Sequence, residues 1–148
     1  NRGEGFTLDP THPNCIAPGK RPLHTIIPAM AAKDGRIALS FGVMGGDYQS
    51  FGQMQFLSRY LDYGMDIQEA MDAPRFMADP VTGDVEMECG VPDAIREELT
   101  RRGHIIVNSE DPIGGSQAIA IDWDQGDAGQ SVLTGGSDPR KDGCAIGY

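Results

Sequence analysis

Two apolar runs separated by an Asp-Gly pair constrain the fold of this chain more than any other feature. They form the segment TIIPAMAAKDGRIALSFG, residues 25–42, with Asp34 and Gly35 at its centre. Asp-Gly between apolar runs is a strong signal for the tight turn of a β-hairpin. The segment therefore predicts two antiparallel strands, with Ile37 and Leu39 in the second strand and not in a helix.

A glycine pair ends the second predicted strand, and a helical pattern follows it in GVMGGDYQSFG, residues 42–52. Glycine permits positive φ and a close approach of the backbone to another group. The first amides of a helix are unpaired and attract negative charge. The junction at Gly45 and Gly46 is therefore either an anion-binding hole or only a tight turn in which Asp47 caps the helix.

The helix after this junction is predicted over residues 48–63, because apolar residues recur there every three or four positions. Gly52 lies inside it and costs about 1 kcal/mol relative to alanine. We therefore expect the first turn of the helix to pack closely against another element. A glycine at position 64 is a typical stop signal.

Two shorter helices and four strands complete the predicted order β-β-α-α-β-α-β-β-β. Asp66 and Glu69 have the spacing of a capping box, and Pro74 ends the helix that they begin. A third helix is predicted between Pro92 and Gly103. The strand candidates are residues 84–90, 104–108, 116–122 and 131–136. Helices grouped between antiparallel strands predict an α+β fold or a layered sandwich, and not a doubly wound fold.

Composition excludes several classes of function. The formal net charge of −10 over 148 residues argues against a nucleic-acid partner. No apolar run approaches the roughly 20 residues that a membrane span needs. Cys15, Cys89 and Cys144 are odd in number and scattered, so we expect reduced thiols. Of the two bacterial compartments considered, cytoplasm and periplasm, unpaired thiols slightly favour the cytoplasm.

Metal and nucleotide motifs are weak in this sequence. The glycines do not form a dinucleotide or P-loop pattern. The spacing of His12, Cys15 and His24 matches no common zinc site. In DWDQGD, residues 122–127, the spacing of a calcium loop is not met, and a polar hairpin turn is favoured. We therefore predict no metal and no cofactor.

The C-terminal segment GGSDPRKDGCAIGY, residues 135–148, is unusual for a tail. Tails are commonly polar and poorly ordered, whereas this one combines a turn with small residues. We expect Arg140 to form a buried or half-buried ion pair with Asp138 or Asp142, in a structural role.

Several segments together resemble the small subunit of gamma-glutamyltranspeptidases. They are PGKRPLHTIIPAM, GVMGGDYQ, YGMDIQEAMDAPRF, RRGH and GGSDPRKDGCAIGY, in the order found in that family. The resemblance extends over nearly all of the chain. It implies part of the four-layer αββα sandwich of the N-terminal-nucleophile hydrolases. Residues 1–24 would be an irregular substrate-site loop and residues 25–148 half of the sandwich.

The resemblance also implies a mechanism. In the family, a precursor cuts itself into a large and a small subunit, and the new N-terminal Thr of the small subunit attacks a γ-glutamyl amide to form an acyl-enzyme. Gly45 and Gly46 would donate their amides to the oxyanion. The nucleophile would lie upstream of Asn1. We therefore expect this chain to be the C-terminal part of a small subunit, inactive alone. Its partners would be the large subunit and the rest of the small subunit.

Two departures from the family pattern concern the substrate. The element that holds the α-amino group of glutamate reads NRGEGF here, with Arg2 in place of Gln and Gly5 in place of Asp. The Ser-Ser pair that binds the α-carboxylate reads His24 and Thr25. A carboxylate pocket would survive, whereas the ammonium pocket would be lost. The acyl group would be γ-glutamyl or, as in the related cephalosporin acylases, glutaryl. Alternatively, Arg2 only packs at the edge of the site.

The resemblance leaves two further expectations, one about catalysis and one about assembly. A non-catalytic relative could retain the fold for binding or assembly. Because the family's sandwich takes strands from both subunits, the isolated chain should present uncovered edges and apolar faces. We expect it to self-associate, most simply as a symmetric dimer.

Overall fold

The computed structural model describes residues 3–21, 24–124 and 130–147 of the chain. Ten principal elements follow one another in chain order. They are β1 Ala29–Lys33, β2 Arg36–Met44, α1 Tyr48–Leu57, α2 Ile67–Asp72, β3 Phe76–Ala78, β4 Val85–Met87, α3 Asp93–Arg101, β5 Ile106–Asn108, β6 Gly115–Asp122 and β7 Val132–Ser137.

The strands form two sheets. An antiparallel sheet of four strands has the order β1-β2-β6-β7, and a mixed sheet of three has the order β3-β4-β5. Asp34 and Gly35 take positive φ at the β1–β2 turn, and Ile37 and Leu39 lie in β2. The predicted hairpin is therefore confirmed. Strand β3 was not predicted.

The three predicted helices are present. Helix α1 ends at Leu57 and continues as a π-helical turn over Ser58–Asp62, in which the Tyr63 amide donates to the Ser58 carbonyl. The capping box of α2 is confirmed, because the Asp66 side chain accepts from the Glu69 amide and the Glu69 side chain accepts from the Asp66 amide. Helix α3 begins directly after Pro92.

The main core lies between the four-stranded sheet and the helices α1 and α2. Leu39 and Phe41 of β2 pack with Phe56 of α1 and with Ile67 and Met71 of α2. Burial of such side chains contributes about 1.5–3 kcal/mol each. This apolar face of β2 fixes the direction in which α1 leaves the glycine junction.

The close packing expected at Gly52 is confirmed. A Cβ added there would lie 2.5 Å from Cγ1 of Val43 and 2.6 Å from the Tyr48 ring. Both neighbours are buried. Glycine at this position lets the first turn of α1 rest directly on β2, which holds the helix start against the sheet.

The opposite face of the four-stranded sheet is open except at Gly135, where an added Cβ would lie 3.2 Å from Cβ of Ala145 in the C-terminal segment. Strand register places Met30, Ser40, Ile119 and Gly135 in one row across it. Met30 is 69% exposed, Ile119 46% and Leu133 57%. A sheet with one apolar face uncovered has a surface that another layer can cover.

None of the helices described is long and apolar enough to cross a membrane.

Candidate active site

The turn between β2 and α1 requires glycine at two successive positions. Gly45 has φ of 132° and Gly46 has φ of 60°, values that side chains strongly disfavour. A Cβ on Gly45 would also lie 3.0 Å from Cα of Gly114. Two glycine backbones therefore approach each other closely, and this contact fixes one side of the turn.

Hydrogen bonds to the helix start set the direction of the amides in this turn. The Tyr48 amide donates to the Gly45 carbonyl over 3.1 Å, and the Gln49 amide donates to the Gly46 carbonyl over 3.1 Å. In a trans peptide the C=O and the following N–H point in opposite directions. The N–H of Gly46 therefore points away from the helix, and within the described parts of the chain neither glycine amide donates a hydrogen bond.

Asp47 does not cap α1 with its side chain. Its backbone is helical, with φ of −64° and ψ of −21°, and its carboxylate accepts no capping hydrogen bond. A capping side chain needs an extended backbone at that position to reach the next amides. The tight turn is therefore present with Asp47 at the N-cap position, but the capping hydrogen bond expected from its side chain is absent. An anion-binding role for the glycine amides stays a prediction.

Thr25 lies beside this turn. Nε2 of Gln49 donates to the Thr25 carbonyl over 2.8 Å and to the Gly46 carbonyl over 3.1 Å. One turn later in α1, Gln53 donates from its side chain to the Ile27 carbonyl. Thr25 is exposed, as is its neighbour His24. Two of the residues expected in one site, Thr25 and Gly46, are therefore joined through one side chain.

The N-terminal segment is built from its own turns. Gly5 is exposed in the short helix Gly3–Gly5, and its carbonyl accepts from the Asn14 side chain. Thr7 and Cys15 pair as an isolated parallel bridge. The hydrogen bonds described for residues 5–20 stay within residues 3–20, and none of them reaches Gly46 or Thr25. Arg2 and the second half of the DWDQGD motif, residues 125–127, lie outside the described residues.

A buried network of four charged side chains lies under the helices. Arg75 pairs with Asp138, which is fully buried, and Arg140 pairs with Glu88 over 2.6 Å and with Asp138 over 3.2 Å. The predicted pair of Arg140 with Asp138 is confirmed, whereas Asp142 forms no ion pair with any described residue. Arg75 and Glu88 were not predicted. For Arg75, the sequence signal that could have indicated a buried charge was its place as the single arginine in AMDAPRFMA, residues 70–78.

The network keeps its carboxylates ionised. Burial raises the pKa of Asp138, but the Arg140 amide and the Arg75 charge outweigh it and hold that pKa below its ordinary value. For Glu88, burial likewise raises the pKa, and the hydrogen bonds from Arg140 and from two backbone amides lower it further than burial raises it. Both groups therefore favour the folded state above their ordinary pKa and lose that contribution as the pH falls through the lowered one.

The network reaches the glycine turn through one backbone segment. Arg75 donates to the Ile113 carbonyl over 2.8 Å, and the Ile113 amide donates to Glu88 over 3.0 Å. Gly114 follows with φ of 63°, and a Cβ there would lie 2.6 Å from the Met44 carbonyl and would overlap the Tyr48 ring. Burial raises the pKa of Tyr48 to about 12, so its ring is neutral. Ile113 and Gly114 therefore connect the buried network to the glycine turn, because Gly114 packs against Met44 and Tyr48 on either side of that turn.

Comparison with known proteins decides the family. The sequence pattern of the gamma-glutamyltranspeptidase family matches residues 1–148. The chain belongs to the gamma-glutamyltranspeptidase family. It is 38% identical to the glutathione hydrolase-like YwrD proenzyme of Bacillus subtilis strain 168, covering 99% of this chain and 28% of that protein. It is 34% identical to the oxamate amidohydrolase proenzyme of Klebsiella pneumoniae, covering 100% and 28%.

A solved structure supports the same assignment. The crystal structure of cephalosporin acylase from Bacillus halodurans matches with a TM-score of 0.80 and 40% identity, over 99% of this chain and 27% of that one. This likeness confirms the predicted α+β fold as part of the sandwich of the N-terminal-nucleophile hydrolases. This member of the gamma-glutamyltranspeptidase family spans about a quarter of the length of the proteins that it matches here.

Proposed function

We propose that this chain is the C-terminal part of the small subunit of an amide hydrolase or acyltransferase and carries its oxyanion hole. One observation supports this most strongly: the Gly46 amide points away from α1, has no acceptor among the described residues, and lies in a turn joined to Thr25 by Gln49. Family membership supplies the reaction class. Gly45 and Gly46 are the proposed oxyanion donors.

The proposed reaction has two steps, acylation of the nucleophile and cleavage of the resulting ester. The hydroxyl of an upstream N-terminal Thr attacks the amide carbonyl carbon, its proton passes to the threonine's own α-amine, and the carbonyl electrons move to oxygen. The Gly45 and Gly46 amides stabilise that oxyanion. The C–N bond then breaks, the leaving amine takes the proton, and an ester remains. Water or another amine cleaves the ester and restores the Thr hydroxyl.

The proposed acyl pocket recognises a carboxylate at the far end of the acyl group. The Thr25 hydroxyl can donate to it, and a ring N–H of His24 can donate beside it. Arg2 and Gly5 stand where the family has the Gln and Asp that hold an ammonium. Burying an ammonium without a partner costs several kcal/mol. The proposed acyl group is therefore a dicarboxylic acid such as glutarate, without an α-amine.

We expect the full-length protein to hydrolyse glutaryl anilides at least as well as γ-glutamyl anilides. Steady-state kcat/KM for the two compounds measures this preference. The double substitution Arg2→Gln with Gly5→Asp should move the preference toward the γ-glutamyl compound, because it restores the ammonium partners. A strong wild-type preference for the γ-glutamyl anilide would contradict the proposed pocket, and no turnover of either would favour a non-catalytic relative.

We also propose that the open face of the four-stranded sheet is covered by other segments of the same precursor. Met30, Ile119 and Leu133 leave an apolar surface there, and such surfaces are seldom exposed on a stable monomer. Expressed alone, the chain would have to cover this surface in another way. Pairing of two copies through the same face is the simplest means, since it gives a closed symmetric dimer.

The isolated 148-residue chain should therefore self-associate in light scattering. Ile119→Glu should shift it toward monomer, because the substitution places a charge in the open face. Ile95→Glu provides a matched control, since Ile95 is 49% exposed on α3 and Ile119 is 46% exposed. A stable monomer that binds no hydrophobic dye, or equal effects of the two substitutions, would contradict this proposal.

A further inference from the structure

The Gln49 side chain contacts two segments of the candidate site, the glycine turn at Gly46 and the backbone at Thr25. It is the second residue of the helix and is half-buried. Its backbone amide and its side-chain Nε2 both donate to the Gly46 carbonyl, each over 3.1 Å. The second hydrogen on Nε2 is then free to reach the Thr25 carbonyl, 2.8 Å away. Both N–H groups of the side-chain amide therefore donate hydrogen bonds, one to each segment of the site.

These bonds fix the peptide planes on both sides of Gly46. The plane before Gly46 is held by the Tyr48 amide on the Gly45 carbonyl, and the plane after it is held by Gln49 on the Gly46 carbonyl. A glycine at φ of 60° otherwise turns freely about its own bonds. The Gly46 N–H lies in the plane held by the Tyr48 amide, and Gln49 fixes the following plane, so the two together restrict rotation about the φ and ψ bonds of Gly46.

The bond to Thr25 links the same side chain to the other end of the proposed substrate. Residues 24–28 belong to no helix or strand, so their position relies on side-chain contacts. Gln49 holds the segment at Thr25, and Gln53 holds it at Ile27. Only Gln49 of these two also contacts Gly46. The two glutamines therefore differ in one respect that an experiment can separate.

We propose that Gln49 is a positioning residue that couples the carboxylate pocket at Thr25 to the oxyanion turn at Gly46. The inference rests on the proposed function. A substrate must meet both segments at once, and a shift of about 1 Å between them can lower the rate about 100-fold. Gln49 sets that distance, because each of its two side-chain hydrogens binds one of the segments.

The test uses the full-length protein with Gln49→Met and the matched control Gln53→Met. Methionine keeps the length of the side chain and removes the donors. We expect Gln49→Met to lower kcat for glutaryl anilide by about tenfold or more and to raise KM, since it disturbs both segments. Gln53→Met should raise KM and leave kcat within about threefold, since it touches only the pocket segment. If Gln49→Met does not fold, Gln49→Glu provides the same test, because a carboxylate cannot donate to either carbonyl.

NMR order parameters of the backbone in the same proteins provide a readout that does not need activity. Gln49→Met should lower them in residues 25–27 and in residues 45–47, whereas Gln53→Met should lower them only in residues 25–27. Equal kcat for the two variants, or a change confined to the helix in Gln49→Met, would overturn the coupling. If the wild-type protein cleaves neither anilide, the proposed function fails, and the order parameters alone decide the coupling.

Discussion

Replacing Gly46 with valine in the full-length protein should lower kcat by about 10²–10³-fold. The expected loss has two sources. Valine strongly disfavours φ of 60°, so the peptide planes of the turn must rotate. The amide then no longer points at the developing oxyanion. Because an oxyanion contact is complete only in the transition state, KM should change much less than kcat. Steady-state kinetics on the glutaryl anilide measures both constants.

Gly64→Val is the matched control for this substitution. Gly64 has φ of 67°, and a Cβ on either glycine would meet no atom within 4 Å. The two substitutions therefore impose similar backbone strain, one at the proposed oxyanion turn and one after the π-helical turn. Equal losses of kcat in the two variants, or a change confined to KM in Gly46→Val, would mean that Gly46 is not an oxyanion donor.

Replacing Asp138 with alanine should destabilise this part of the protein by about 3–5 kcal/mol. The carboxylate is fully buried and is the ion-pair partner of Arg75, whose side chain is 4% exposed. It also accepts from the amide and the hydroxyl of Ser116. Alanine would leave a buried guanidinium without its ion-pair partner. Hydrogen exchange of the β2 and β6 amides in the full-length protein reports the free energy of opening.

Asp142→Ala is the control for the buried network. Asp142 is exposed and is four residues from Asp138. Surface substitutions of this kind usually change stability by less than about 0.5 kcal/mol. Asp138→Asn adds a second comparison, because it keeps the shape and removes the charge. A loss below about 1 kcal/mol for Asp138→Ala would show that water or neighbouring groups solvate Arg75 and that the network is not a stabilising core.

The features that were predictable from sequence are local ones. The Asp-Gly turn of the hairpin, the capping box at Asp66 and Glu69, and the packing at Gly52 each depend on residues close together in the chain. Their physical signals are therefore contained in short windows. Strand β3 has only three residues, and its pairing with β4 is a tertiary contact that no such window contains.

The missed parts of the candidate site depend on long-range contacts. Arg75 and Asp138 are 63 positions apart, and Gln49 reaches back 24 positions to Thr25. Single-residue patterns do not carry such pairings, because each partner alone looks like an ordinary polar residue. Family resemblance predicted the glycine turn and Thr25 as one site, and the structure joins their backbones through Gln49.

The most direct test of the proposed function is to trap the acyl-enzyme. The full-length protein is mixed with glutaryl anilide, quenched with acid at successive times, and analysed by mass spectrometry of its subunits and their N-terminal peptides. We expect one glutaryl group as an ester on the N-terminal Thr of the small subunit, and less of it in Gly46→Val at equal early times. Turnover without an adduct at any time, or an adduct on another residue, would contradict it.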